Sequence, residues 1–176
     1  IAENKNLPKL IVKESNINFN KVFFTYVTSK KITIKNINFS IKGGTIAAFV
    51  GHSGAGKSTI LNLLPRFYDP QEGQIKIDDQ DISKVRLSSL RKNISLVSQD
   101  VILFDDTIKK NIAYAKENAT QKEIEKACDF AAASEFIEKM PEKFDTTIGE
   151  NGVRLSGGQK QRISIARAIL KEAPII

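Results

Sequence analysis

The stretch "GHSGAGKST" at residues 51 to 59 constrains this chain more than any other. Gly51, Gly56, Lys57 and Ser58 fit the spacing G-x-x-x-x-G-K-[ST], in which a glycine-rich loop wraps an anion with its backbone N–H groups. Gly51, Gly54 and Gly56 lack Cβ atoms, so the backbone can turn tightly and come close to a phosphate. A short apolar run, "TIAAFV" at 45 to 50, feeds the loop and reads as a buried parallel strand. Ile60, Leu61, Leu63 and Leu64 leave it at helical spacing. The helix N-terminus then adds its positive dipole end to the loop. In this context Lys57 can reach the β- and γ-phosphates of a nucleotide, and the Ser58 hydroxyl can sit on Mg²⁺. The bland alternative is a glycine-rich turn with an exposed lysine, which the flanking strand and helix disfavour. His52, the one histidine, falls at a variable loop position and reads as a surface residue rather than a catalytic one. Pro65 cannot continue a helix, so the helix ends or kinks near Leu64.

The rest of the composition suits a single domain with a sizeable core: 176 residues, 41% hydrophobic and 27% charged. No apolar run approaches the roughly 18 residues needed to cross a bilayer. Net charge is +7. That balance suits either an anionic partner or a solvated lysine-rich surface, and the lysines are scattered rather than gathered in a nucleic-acid stripe. The start, "IAENKNLPKL", is polar and unlike a signal peptide. The one methionine is Met140, so Ile1 is not an initiator and the chain is expected to be a piece of something longer.

Strands are expected at 17–26, 32–41, 45–50, 74–78 and 94–98, and a short helix at 87–92. The middle turns helical. Thr120 with Glu123 forms a capping box. Ile124, Ala127, Cys128 and Ala131 share one face behind it, so Cys128 reads as core packing rather than a reactive thiol. A second short helix is expected near 134 to 140, ended by Pro141.

The stretch "RLSGGQKQRISIARAIL" at 154 to 170 supplies a second helix start that can face an anion. Ser156 and Gln159 form another capping box, and Gly157 and Gly158 leave the backbone N–H groups uncovered. An ordinary capped helix would look similar, but one chain with two such helix ends weakens that reading.

With "LSGGQ" behind a phosphate loop, the chain resembles the nucleotide-binding domain of ATP-binding cassette (ABC) transporters over nearly its whole length. The resemblance implies an α/β fold: a P-loop NTPase (RecA-like) core with an antiparallel β subdomain and an α-helical subdomain. The β subdomain and P-loop core would span about 10–98, the helical subdomain about 99–155 and the signature helix 156–171. The cofactors it implies are ATP and Mg²⁺. ATP contact would fall to Tyr26, stacked on adenine, to Gly51, His52, Ser53, Gly54, Ala55, Gly56, Lys57, Ser58 and Thr59, and to Gln99 in "LVSQD". Lys57 and Gln99 would take part in turnover, and Ser58 and Gln99 would approach the metal. Leu155, Ser156, Gly157, Gly158 and Gln159 would face the nucleotide of a second domain paired head to tail, most simply another copy of this chain.

"TTIGENGVRLSGGQ", "LFDDTIKKNI" and "RFYDPQEGQIKID" are similar to exporters whose membrane and ATPase domains share one chain. That implies export of a lipid, drug or peptide, at the cytoplasmic face of the inner membrane, with no nucleic-acid partner. Asp79 departs from the family, which often has glycine in that turn. DNA-maintenance ATPases of the superfamily insert a long coiled coil between Gln99 and Leu155, and none is present here. Soluble ribosome-acting cassettes and separate importer subunits lack the "TIGENG" stretch. The sequence ends at "KEAPII", where the family begins a strand that carries a magnesium-holding aspartate and the catalytic glutamate. The central sheet is therefore expected to be incomplete there, with residues 1–176 alone inactive.

Overall fold

The computed structural model describes residues 1–29 and 32–176. They form two units, one of residues 1–94 with Ile175, the other of residues 95–174 with Ile176.

The first unit is built on an antiparallel sheet in the order β2-β1-β3-β4, with β1 at Ile17–Phe24, β2 at Ile34–Ile41, β3 at Glu72–Ile77 and β4 at Gln80–Asp81. The partial alternation of "INFNKVFF" has a structural cause. Ile17 and Phe19 are buried, and so are Val22 and Phe24, so the buried face changes parity between Phe19 and Val22. An irregularity in the pairing there absorbs the extra residue, with Lys21 at φ 48°. Gly73 faces this bulge at φ 85°, and a Cβ on it would stand 2.3 Å from the Lys21 carbonyl oxygen. Only glycine fits at that position. Phe19 stacks on Phe39 of β2 at 4.5 Å.

The departure at Asp79 also resolves. Asp78 and Asp79 both take positive φ, 46° and 63°, in a two-residue hairpin between the paired Ile77 and Gln80. The Asp78 carboxylate accepts the backbone N–H groups of Lys13, Glu14, Ser15 and Asn16 at 2.7 to 3.1 Å. Burial pushes its pKa upward, but the four N–H donors together hold it below the usual carboxylate range.

Helix α1 spans Lys57–Leu63 and stops with Leu64 as its C-cap, directly before Pro65. Helix α2, Leu87–Lys92, buries Leu87 and Leu90. The core of this unit includes Phe19, Val22, Ile34, Leu63, Ile75, Ile77 and Leu90.

Two expected strands do not form. Residues 45–50 carry no regular secondary structure and belong to no sheet among the described residues, and Ile46 and Val50 are 101% and 94% exposed. Of residues 94–98, only Ile94 pairs, through one parallel bridge to Ile175. Parallel strands persist when they are paired and covered on both faces. Neither condition is met for 45–50 among the described residues, so its apolar composition does not make it a strand.

The second unit is helical: α3 at Ile108–Ala113, α4 at Gln121–Phe130, α5 at Ser134–Glu138 and α6 at Gly157–Leu170. The capping box at Thr120 and Glu123 is formed in both directions. Ile124, Ala127, Cys128 and Ala131 are all buried, and burial, then the nearby Asp129 and Glu125 charges, push the Cys128 thiol up to about 12. Ile108, Ile112, Ile137, Ile163 and Ala166 complete the core around them. Helix α3 has no counterpart among the expected elements. It starts at Thr107, whose hydroxyl accepts the Lys110 N–H at 3.2 Å.

Candidate functional site

The loop between Gly51 and Gly56 is a run of turns closed by the Ala55 N–H donating to the His52 carbonyl at 3.2 Å. Gly54 and Gly56 stand at φ 80° and 88°, the left-handed backbone in which successive N–H groups can converge on an anion. Gly56 is required twice over. A Cβ there would meet the Ile34 Cδ1 at 2.7 Å, besides being strained at that φ. Helix α1 begins at once with Lys57, and its first turn carries no acidic residue to neutralise the dipole end. The Lys57 ammonium folds back over the loop, donating to the carbonyls of Gly51 and His52 at 2.8 Å each. His52 and Ser53 are exposed, and the His52 Nδ1 lies 2.8 Å from the Ser53 carbonyl oxygen. Ser58 is exposed on the first turn of α1, whereas Thr59 is buried.

Tyr26 lies two residues beyond β1 and is joined to this loop through Thr59. The two side-chain hydroxyls share a hydrogen bond at 3.1 Å. Phe24 and Tyr68 meet the Tyr26 ring edge-on, at 4.8 Å and 5.1 Å. The sequence does not announce the Thr59 and Tyr68 contacts, because they join segments 33 and 42 residues away from Tyr26 in the chain.

The second glycine-rich helix start belongs to the helical unit. The Ser156 hydroxyl accepts the Gln159 N–H at 3.3 Å, and the Gln159 side-chain oxygen accepts the Ser156 N–H at 2.9 Å. Gly157 and Gly158 face open space, with nothing within 4 Å of an added Cβ, and α6 also has no acidic residue in its first turn. Leu155 is different in kind: it is buried in the core of its unit and anchors the loop that presents Ser156. Gln99 is exposed on a bend where the Ser98 hydroxyl donates to the Asp100 carbonyl at 2.6 Å. Gln99 and residues 155–159 thus lie in the helical unit, while Tyr26 and residues 51–59 lie in the sheet unit.

Sequence reasoning also passed over Arg167 on α6. Its guanidinium donates to the Asn111 and Ile102 carbonyls at 2.9 and 3.0 Å and to the Asn111 side-chain oxygen at 3.1 Å. Phe104 and Tyr114 rings lie within 6.0 Å of it. Burial lowers its pKa, and the hydrogen-bond set compensates for the desolvation.

Residues 34–176 match the ABC transporter family. The chain is 56% identical over 160 residues to an ATP-dependent lipid A-core flippase of Coxiella burnetii, covering 90% of this chain and 27% of the flippase. The flippase of the same name from Photorhabdus laumondii is 51% identical over 179 residues, covering 100% of this chain and 31% of the relative. Among solved structures, a bacterial Atm1-family ABC exporter with ATP bound superposes with a TM-score of 0.94 at 45% identity, over 98% of this chain and 30% of that one. The chain thus spans about three tenths of the length of these relatives. On the phosphate loop, the second capped glycine pair and these matches together, the chain belongs to the ABC transporter family.

Proposed function

We propose that this chain is the ATP-binding domain of an ABC exporter, and that ATP binding and hydrolysis there drive a lipid across the inner membrane from its cytoplasmic face. The observation that carries the reading is the loop at 51–58: left-handed glycines, an ammonium folded over them, and an exposed serine on the first turn of the following helix. The lipid class comes from the relatives, which are named lipid A-core flippases.

The donor set fits nucleotide and metal. Lys57 supplies the positive charge for the β- and γ-phosphates, and the loop N–H groups supply neutral donors. Magnesium is held in such sites by few protein ligands, with phosphate oxygens and water completing the shell. Ser58, exposed on the first turn of α1, would offer one hydroxyl to hold the metal. When bound, the metal neutralises charge on the transferred phosphoryl group. Gln99 is the residue of this chain proposed to approach the metal and the attacking water.

Ser156, Gly157, Gly158 and Gln159 serve a different nucleotide, that of a second domain paired head to tail. Two anion-facing helix starts in one chain support this, since a single bound nucleotide does not need both. The pair is proposed to be two copies of this chain. A transmembrane domain in the same polypeptide is the other partner. No helix among the described residues is long and apolar enough to cross a membrane. A groove of about 370 Å³ near Gln99, with Ile102 and Tyr114 exposed at its edge, supports a contact of that kind.

The test is Lys57→Ala in the complete polypeptide, reconstituted in lipid vesicles. MgATP binding and ATP-dependent movement of a labelled lipid A precursor are both expected to disappear while the thermal unfolding profile is kept. A variant that binds ATP and moves lipid like the parent would overturn the reading.

A further inference from the structure

We propose that Arg167 is a positioning residue for Gln99: its guanidinium holds one foot of a short arch on α6, and Gln99 stands near the crown of that arch. The inference rests on the role proposed above for Gln99 and extends it to a residue that acts on turnover only through the segment carrying Gln99.

The segment from Ser95 to Ile102 is fastened to α6 at both ends. At its start Ser95 is buried, and its hydroxyl donates to the Ala168 carbonyl at 3.1 Å. At its end the Ile102 carbonyl accepts the Arg167 guanidinium at 3.0 Å. The two anchors are neighbours on the helix. Arg167 makes its own foot the firmer of the two. Its remaining donors go to the Asn111 carbonyl and side-chain oxygen at 2.9 and 3.1 Å. Asn111 in turn bonds both the N–H and the carbonyl of Phe104, two residues past Ile102. The Phe104 and Tyr114 rings stand beside the guanidinium at 5.7 and 6.0 Å. A planar fork with donors in fixed directions can hold two segments at once, which a single ammonium does poorly.

Between its feet the arch is loose. Gln99 and Asp100 form an exposed bend, and the bond that shapes it, from the Ser98 hydroxyl to the Asp100 carbonyl, is internal to the arch. A groove of about 370 Å³ lies between arch and helix, with Leu96, Ser98 and Asp100 on one side and Ser164, Arg167 and Ala168 on the other. The crown is therefore not packed down onto α6, and its position depends on the feet. Helix α6 gives those feet a second meaning. Its other end carries Ser156 to Gln159, and roughly 15 Å of helix separates Gly157 from Arg167. One helix thus bears the glycine pair that serves the partner's nucleotide and the anchors of the residue that serves its own.

The experiment is a double-mutant cycle in the complete polypeptide, with Arg167→Lys, Gln99→Ala and the pair. Turnover is read as kcat from phosphate release at saturating MgATP, and MgATP binding by calorimetric titration. Arg167→Lys keeps the charge and loses the fork. It is expected to lower kcat by roughly ten- to a hundredfold, the scale set by displacing a reacting group by about an ångström. MgATP binding should be kept, because the phosphate loop belongs to the other unit. The pair should be no slower than Gln99→Ala alone, since Arg167 acts through Gln99. Losses that multiply in the pair would overturn the inference, as would parent-like kcat in Arg167→Lys. Hydrogen exchange adds a readout that a general loosening would not give. In Arg167→Lys the amides at 102–104 should exchange faster while those at 160–166 stay protected, and fraying of α6 together with them would make Arg167 a fold residue and overturn the inference. If Arg167→Lys does not fold, exchange in the parent decides. The Phe104 amide should be slow and those of Gln99 and Asp100 fast, whereas equally fast exchange through Phe104 would show that the foot is not held. Gln99→Ala separates the two levels. Parent-like kcat in Gln99→Ala overturns the inference together with its premise and leaves the phosphate-loop reading to Lys57→Ala, whereas a slowed Gln99→Ala beside a parent-like Arg167→Lys overturns only the role of the guanidinium.

Discussion

At the scale of single residues, Glu123 is where charge and helix geometry meet. Lys116 donates to its carboxylate at 2.6 Å, and the Thr120 N–H and hydroxyl donate at 2.7 and 2.8 Å. These donors, the lysine first, lower its pKa from 4.5 to about 2. A carboxylate depressed in the folded state adds stability that is fully present above its unfolded value and is lost as pH falls through the folded value. The contribution therefore fades between about pH 4.5 and 2. Glu123→Gln is expected to lower the thermal midpoint at pH 7 and to bring variant and parent together as the pH approaches 2. Melting curves of both proteins across that range check it, and a gap that stays constant with pH would show that Glu123 contributes by packing alone.

At the scale of elements, α3 is tied to the segment before it by one of its own residues, Asn111. The Asn111 side-chain oxygen accepts the Phe104 N–H at 2.9 Å, and its amide donates to the Phe104 and Thr107 carbonyls at 3.0 Å each. The residue is 1% exposed. Asn111→Ala would leave part-buried backbone groups of Phe104 and Thr107 without this partner, and since a fully buried group stranded in this way costs about 1–3 kcal/mol, chemical denaturation should show a loss up to that range. This also explains which elements were legible in the sequence. The helices at 121–130 and 157–170 announce themselves, because Thr120 with Glu123 and Ser156 with Gln159 are local pairs three residues apart. The loop at 51–58 is legible for the same reason. Helix α3 is short, its Thr107 cap faces Lys110 rather than a Glu or Gln that would complete a capping box, and further contacts that hold it lie at Phe104 and Arg167, so the local pattern is weak. Residues 45–50 fail in the opposite direction: their composition is that of a buried strand, but a strand exists only through its neighbours. The Thr59 and Tyr26 contact was illegible on the same ground.

At the scale of the molecule, the two glycine-rich helix starts sit in separate units, and pairing between copies is the proposed reason. Gly157→Asp tests it. The site of substitution faces open space, so the fold should be kept, while a carboxylate there would repel the γ-phosphate of the partner's nucleotide. The expected result is parent-like MgATP binding with ATPase turnover reduced at least tenfold, read by phosphate release from the complete polypeptide. Full turnover would remove the head-to-tail arrangement. Cys128 bears on how such pairing can be watched. It is the one thiol in these 176 residues, it lies under the helical core, and its pKa stands at about 12. The thiolate is the form that attacks thiol reagents, so at neutral pH this sulfur is both shielded and in the wrong protonation state. The domain is therefore a ready host for site-directed spin labels. A cysteine introduced at the exposed Ser53 or Gly157 would be the one reactive thiol among these 176 residues, and the distance between labels on two copies could be followed through the nucleotide cycle with Cys128 left in place.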